Sequence, residues 1–438
     1  MQLPEEFIQQ TKQLMGESRF NRFLGALDEE PPVSIRLNPL KMRNEKLEMR
    51  NDDYPASPES AYRSNHHFSF LIPHSSLKKV PWCPEGCYLE GRPQFTFDPL
   101  FHAGCYYVQE ASSMFITHVL RHIIHHTSDI LHLSVLDLCA APGGKSTAIR
   151  STLPEGSTLI SNEPNPTRAQ ILLENITKWG YDNCTVTNLY PRDFRKTKAR
   201  FDIILCDVPC SGEGMFRKDP NAISEWSPQN VEKCWRLQRE IVADAWECLN
   251  PGGILIYSTC TYNTKENEEN IRWIQQQYDA EILAVPTQPE WNITGSLLPG
   301  FDAPVYRFIP GYTRGEGLFM AVLQKADNGQ WTVSTIHSKL KALAPDLPEG
   351  DHPRVDLSYS EALRYLRGEA LVLPPDTPRG IVTVTYKGFP LGPAKNIGNR
   401  ANNLYPKPWR IKTTHLPSEP VEIIRFENRE INCEIVKL

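Results

Sequence analysis

No apolar run in this 438-residue chain approaches the roughly 18–20 residues that a membrane span requires. The opening MQLPEEFIQQ carries no secretory leader pattern. Eleven cysteines are scattered without a regular framework, and that odd number points to a reducing cytoplasm rather than a disulfide-built secreted domain. The net charge is −5, so there is no global excess of positive charge. Any nucleic-acid surface has to be local. Internal repeats are missing, as are the phosphate-binding spacing G-x-x-x-x-G-K-[ST] and the dinucleotide spacing G-x-G-x-x-G. Cys83 and Cys87 in CPEGC form half of a zinc pattern without a second pair at matching spacing, so no metal is expected.

The chain has the length for two or three domains, and its 40% hydrophobic content is enough to bury cores. Residues 1–98 open with the amphipathic pattern PEEFIQQTKQLMG, continue through VSIRLNPLK, and end in a Pro- and His-rich section. Residues 99–326 alternate strand and helix patterns: SVLDLC, GKSTAIRSTL, TLISNE, PTRAQILLENITKWG, CTVTNL, FDIILCD, a long helix capped by Ser227 and stopped at PGG, GGILIYSTC, a helix after Asn263, AEILAV and LFMAVLQK. That alternation predicts a doubly wound α/β sheet, mostly parallel, with its ligand at the carboxyl ends of the strands. Residues 327–438 change to one short helix, SYSEALRYLRGE, followed by β-rich sequence. Between Arg379 and Lys412 stand seven Lys/Arg and no acid, interleaved with Tyr386, Phe389, Tyr405 and Trp409. This is either an RNA-binding face or a solvated basic surface over core aromatics.

DLCAAPGGKST directly follows the first strand of the α/β region and opens a helix. Gly143 and Gly144 let the backbone approach a ligand closely, and a free helix N-terminus suits the carboxylate of an amino-acid-like ligand. The next strand ends in Glu163, placed to accept from ribose hydroxyls. A glycine loop and an acid without phosphate machinery point to S-adenosylmethionine.

Two cysteines come to the same rim. FDIILCDVPCSGEG carries Asp207 and Cys210 off the fourth strand, with Pro209 stiffening the turn. GGILIYSTC delivers Cys260 off the fifth. Taken alone, Cys260 is either a buried thiol closing a strand or a nucleophile. A cytosine ring suits the second reading. A thiolate adding to carbon-6 makes carbon-5 an enamine carbon able to take a methyl group, an acid near the ring nitrogen and amino group stabilises the developing charge, and a base then removes the carbon-5 proton.

DLCAAPGGKS, NEP, CDVPCSGEGMFRKDP and YSTCTYNTKENE resemble, in order and spacing, the RNA cytosine-5 methyltransferases of the nucleolar-protein/Sun/Fmu family. LPEEFIQQTKQLMG, IRLNPLK and PWCPEGCYLE through HAGCYYVQEASSM look like the N-terminal part of its bacterial RsmF type, and PLGPAKNIGNRANNLYPKPWRI like that type's PUA-like RNA-binding region. The resemblance implies a Rossmann-like methyltransferase domain between an N-terminal α+β region and a C-terminal PUA-like domain. It implies Cys260 as nucleophile, Cys210 as the group assisting release, Asp207 at the target base and near the cofactor, and Cys139, Ala140, Ala141, Pro142, Gly143, Gly144 and Lys145 as the cofactor loop with Glu163 at the ribose. Arg168 is either a cofactor contact or a solvent-facing arginine. Lys145 either holds the loop in shape or senses the ring. Arg36 and Asn38 either order the N-terminal part or touch RNA.

The chain departs from the pattern at NLYPRDF, where an acid near the adenine is usual and Tyr190 stands instead. Either Asp193 substitutes or Tyr190 stacks on the adenine. The expected substrate is small-subunit ribosomal RNA, with transfer RNA as the alternative. The expected agent is a cytoplasmic monomer working without metal or membrane. Two competing readings are methylation of an exocyclic amine, which uses an acid-Pro-Pro-aromatic turn and no thiol, and a non-catalytic RNA-binding assembly factor.

Overall fold

The computed structural model describes residues 1–42, 78–126, 132–327, 340–413, 415–417, 419–427 and 430–434, so most of the Pro- and His-rich section read from the sequence lies outside the described residues. The chain forms two compact units, residues 1–36, 79–88 and 108–345 in one and 37–78, 89–107 and 346–438 in the other.

The first unit is built on a nine-stranded sheet. Its strands are β1 (Ser134–Asp137), β2 (Thr158–Asn162), β3 (Cys184–Thr187), β4 (Phe201–Asp207), β5 (Leu249–Thr259), β6 (Glu281–Leu283), β7 (Tyr306–Phe308), β8 (Leu318–Gln324) and β9 (Ala342–Leu343). They run in the order β6-β8-β5-β4-β1-β2-β3-β9, with β7 paired to β8. The inner strands β1 to β5 pair in parallel. The flanking strands β6, β7, β8 and β9 pair antiparallel, so the sheet is mixed. The order reverses between β1 and β4, which opens a crevice at their carboxyl ends.

Alternate residues of β1 serve opposite faces. Val135 joins a core with Phe115, Val119 and Ile149. Leu136 joins another with Phe194, Ile241 and Trp246. A strand buried on both faces explains why β1, β4 and β5 read as nearly continuous apolar runs. The helices between strands start and stop where their sequence dictates. Helix Pro166–Trp179 begins at Asn165, whose side chain accepts from the N–H groups of Thr167 and Arg168, and ends at Gly180 in the left-handed region (φ 78°). Helix Pro228–Glu247 is capped by Ser227. PGG does not stop that helix as expected. The helix ends at Glu247, and Pro251 to Gly253 already lie in β5.

Helices Glu5–Met15 and Glu17–Leu27 pack on the segments that follow the two cysteines. Phe7 meets Phe216 and Trp226 edge-on at 5.0 and 5.5 Å. Phe23 meets Tyr262 at 4.9 Å. Arg217 donates to the Ala26 carbonyl at 2.8 Å and is paired to Glu316 at 3.0 Å.

The second unit carries a four-stranded sheet, β10 (Arg354–Asp356), β11 (Gly380–Tyr386), β12 (Phe389–Asn396) and β13 (Ala401–Asn403), in sequential order. Lys387 and Gly388 both have positive φ and form the two-residue turn between Tyr386 and Phe389. Buried Asp98 accepts from Tyr106 Oη (2.9 Å) and from the backbone N–H groups of Leu100 (2.9 Å) and Ile423 (3.0 Å). Burial pushes its carboxyl up to about 6. Asn38 donates to the Gly104 carbonyl at 2.8 Å and is buried, an ordering role within this unit.

Candidate active site

The loop from Cys139 to Lys145 crosses the crevice mouth. Its first residues are tied to the sheet: Leu138 N–H donates to the Leu205 carbonyl (3.0 Å) and Ala140 N–H to that of Asn162 (2.8 Å). Gly143 has φ 115°, which favours glycine, and helix Gly144–Thr152 starts there with no side chain capping it. That leaves an N-terminus able to receive an anion. Arg168 donates to the Ala141 carbonyl (2.9 Å) and Asn175 to that of Pro142 (2.8 Å). Arg36, 1% exposed, donates to Gln109 Oε1 (2.7 Å), Thr147 Oγ1 (2.5 Å) and the Gly144 carbonyl (3.3 Å), and lies 4.5 Å over the Trp179 ring. It braces the helix behind the glycine loop.

Under the loop, Asp137 is fully buried. One oxygen accepts from Ser146 Oγ at 2.6 Å, and the other has no hydrogen-bond partner. Burial, together with the charge of Asp207, pushes its carboxyl up to about 7 against the Ser146 bond. Glu163 is buried at the tip of β2, accepts from Asn165 N–H (2.9 Å) and pairs with Arg168 (3.4 Å).

Lys145 donates to Asp207 Oδ2 at 2.8 Å. Burial alone would lower the lysine, but Asp207, and then Cys260 and Asp137, raise it above its ordinary value. Asp207 pairs in register with Ser258 across β4 and β5, and this sets the two following turns side by side. Cys210 Sγ and Cys260 Sγ stand 3.2 Å apart. Cys210 is held well above the ordinary thiol range, first by its hydrogen bond to Cys260 and then by burial. Cys139 is raised by burial and is a poor thiolate. Two buried carboxylates that the motif reading passed over, Glu213 and Glu266, lie between the cysteine turns. The signal in the sequence is their place inside the two cysteine motifs, Glu213 in SGEG and Glu266 in KENE.

Three family models match: 16S rRNA methyltransferase RsmB/F over residues 129–324, the N-terminal domain of 16S rRNA methyltransferase RsmF over 3–62 and 58–111, and the methyltransferase RsmF PUA domain over 352–411. A protein named ribosomal RNA small subunit methyltransferase F, from Enterobacter sp. (strain 638), is 31% identical across 92% of this chain and 95% of its own length. The chain belongs to the ribosomal RNA small subunit methyltransferase F family. A second relative of that name, from Pectobacterium carotovorum subsp. carotovorum (strain PC1), is 35% identical over 63% of this chain, and there the chain spans about half (53%) of the relative's length. Among solved structures, a methyltransferase homolog protein from Pyrococcus horikoshii matches with TM-score 0.56 at 26% identity, over 74% of this chain and 95% of that one. NSun6 from Pyrococcus horikoshii with SFG matches with TM-score 0.56 at 21% identity, over 74% and 99%, a likeness of fold. The Rossmann-like sheet, the N-terminal region and the C-terminal PUA domain are those of this methyltransferase family.

At the third strand end of this methyltransferase stand Tyr190 and Asp193. Asp193 is engaged at the start of helix Pro191–Thr197, where it accepts from Tyr190 N–H (3.2 Å) and pairs with Lys196 (3.0 Å). Tyr190 is 56% exposed, with the Arg192 guanidinium 5.1 Å from its ring centre. Asn162 and Asn188 tie the neighbouring strand ends together, Asn162 through Thr187 Oγ1 (2.9 Å) and Leu189 N–H (2.9 Å), Asn188 through the Glu163 carbonyl (2.7 Å). Cys83 and Cys87 are buried, and among the described residues no group of three or more His, Cys, Asp or Glu is placed to hold a metal. Of the interleaved C-terminal aromatics, Tyr386 and Tyr405 are core residues, while Arg379, Lys387, Lys395, Arg400, Lys407 and Lys412 are exposed.

Proposed function

We propose that this methyltransferase methylates carbon-5 of a cytosine in small-subunit ribosomal RNA through a covalent Cys260–cytosine intermediate. The observation that carries the reading is the 3.2 Å contact of Cys210 and Cys260 at the ends of adjacent parallel strands, beside the Lys145–Asp207 pair. Methylation of an exocyclic amine needs neither thiol.

S-adenosylmethionine fits the cradle. The uncapped helix start at Gly144 suits its carboxylate, and the buried unpartnered oxygen of Asp137 awaits a donor at the base of the same loop. Glu163 at the second strand tip, steadied by Arg168, would meet the ribose, and Tyr190, exposed beyond the third strand, would stack on the adenine. When bound, the cofactor supplies the methyl group.

The chain's own residues do the rest. Cys260 loses its proton to solvent, and as its sulfur bonds to carbon-6 the carbon-5–carbon-6 π pair shifts to carbon-5 and the ring. Cys210, which keeps its proton to high pH, donates to that sulfur and steadies the thiolate before attack. Asp207, fixed by a lysine that stays charged, meets the ring nitrogen and amino group where charge changes during addition. After a base takes the carbon-5 proton, the carbon–sulfur bond breaks, and the Cys210 thiol is already in contact with the departing sulfur. The target base has to leave any stack to reach the sulfur. The exposed cations between Arg379 and Lys412, together with the N-terminal region, would grip phosphates.

The test uses methyl-labelled cofactor with small-subunit ribosomal RNA. Cys260→Ala is expected to give no product and no adduct. Cys210→Ala is expected to give a protein–RNA adduct that survives denaturation. Full activity from Cys260→Ala rules the reading out.

A further inference from the structure

The two cysteine turns are held by carboxylates borrowed from each other. Glu266, downstream of Cys260, accepts from the backbone N–H (3.0 Å) and the Oγ (2.5 Å) of Ser211, the residue after Cys210. Glu213, downstream of Cys210, accepts from Thr261 Oγ1 (2.5 Å), Tyr262 N–H (2.6 Å) and Asn263 N–H (3.0 Å), the three residues after Cys260. The Asn263 amide donates to both acids at 2.9 Å. Behind them, Gln238 donates to Glu266 (2.6 Å) and to the Pro209 carbonyl (2.9 Å), and Trp226 donates to Glu213 (3.0 Å). Glu213 is 2% exposed and Glu266 is fully buried.

Two buried acids side by side are costly in any fold, because each loses its hydration and repels the other. Their crossed partners give the arrangement a purpose. Neither turn can move without stretching a bond to the acid that sits on the other, so the sulfur separation is set by both.

We propose that Glu213 and Glu266 are positioning residues forming a reciprocal clamp on the two thiols. Glu266 fixes the Cys210 turn and so governs release of the adduct, while Glu213 fixes the Cys260 turn and so governs its formation. The assignment of steps rests on the covalent mechanism proposed above. Replacing either acid by Gln leaves one oxygen among converging donors and turns an NH₂ group toward them, which pushes the attached turn out of place.

The experiment is single-turnover methylation of small-subunit ribosomal RNA by the full chain, following denaturation-resistant adduct and released 5-methylcytosine separately. In Glu266→Gln, release is expected to slow about tenfold or more with formation little changed, so adduct accumulates. In Glu213→Gln, formation is expected to slow by about the same factor without accumulation. Ser211→Ala and Thr261→Val remove one donor each, follow the same division more weakly, and replace any Gln variant whose melting curve shows misfolding. Equal slowing of both steps in every variant, or no slowing in any, overturns the clamp. A second arm needs no RNA: iodoacetamide labelling of the two thiols, read by peptide mass. Glu266→Gln is expected to speed labelling of Cys210 selectively and Glu213→Gln that of Cys260, whereas equal changes at both sulfurs overturn the clamp. If wild type yields no 5-methylcytosine, the covalent mechanism fails, and the labelling arm still decides the clamp.

Discussion

At Gly214 a single methyl group decides whether Cys260 keeps its place. The Gly214 N–H donates to the Cys260 carbonyl at 2.6 Å, and a Cβ there would stand 2.3 Å from that same oxygen. The obstacle is backbone and has no flexible end to swing aside. Gly214→Ala is therefore expected to lower methylation at least about tenfold through displacement of Cys260, with melting lowered by a few degrees. Unchanged single-turnover rates would contradict it. Lys145 poses a different question. Lys145→Met removes the charge beside Asp207 and leaves a carboxylate half enclosed without its partner. Activity is expected to fall by about two orders of magnitude at neutral pH, with cofactor affinity, measured by calorimetry, changed less than the rate.

At the scale of elements, the reading from sequence succeeds where one residue type has one physical use. FDIILCD spans the strand Phe201–Asp207, and Ser227 and Gly180 mark helix ends, because a buried parallel strand, an N-cap and a left-handed C-cap each impose a narrow choice. PGG misleads because proline and glycine end helices in general, yet here the chain has turned before reaching them. Strands Tyr306–Phe308 and Ala342–Leu343 escape because three- and two-residue edge strands carry no periodicity. In the site, the cysteines, Asp207 and the glycine loop stand out in the sequence because each residue type has its own chemistry there. Glu213, Glu266 and Asp137 lie in the same motifs but do not stand out, since their roles arise only when separate turns close on one another. Arg36 belongs to the same class. Arg36→Met abandons three hydrogen bonds and a cation–ring contact inside a sealed site, and urea denaturation is expected to show a loss of about 2–4 kcal/mol. A change within about 0.5 kcal/mol would mean that the brace is dispensable.

At the scale of the whole molecule, the buried acids shape the response to pH. Burial, with repulsion from Glu213, pushes Glu266 up to about 7 from an ordinary 4.5. The folded form therefore binds a proton that the unfolded chain has released, and this group's contribution to stability declines as pH rises from about 4.5 to 7 and is level beyond. Glu266→Gln has no such titration. Its urea midpoint relative to wild type is expected to improve steadily across that interval, and a constant difference would exclude the effect. The proposed RNA grip is tested by salt. Replacing exposed Lys395, Arg400 and Lys407 together by Ala is expected to flatten the slope of log affinity against log salt by about 1 for each phosphate no longer neutralised, uniformly across RNA sequences. An unchanged slope would place the grip elsewhere.

Arg36 reaches from the chain's first forty residues to the helix behind the glycine turn. An enzyme trimmed to its strand-and-helix middle would thus keep the glycine loop and both cysteine turns and still lack the strut that braces the helix behind that loop. Swapping this N-terminal piece for one from a relative is expected to disturb the helix behind the glycine turn. Chimeras ought to be joined outside the Arg36–Trp179 contact, with both partners inherited from one parent.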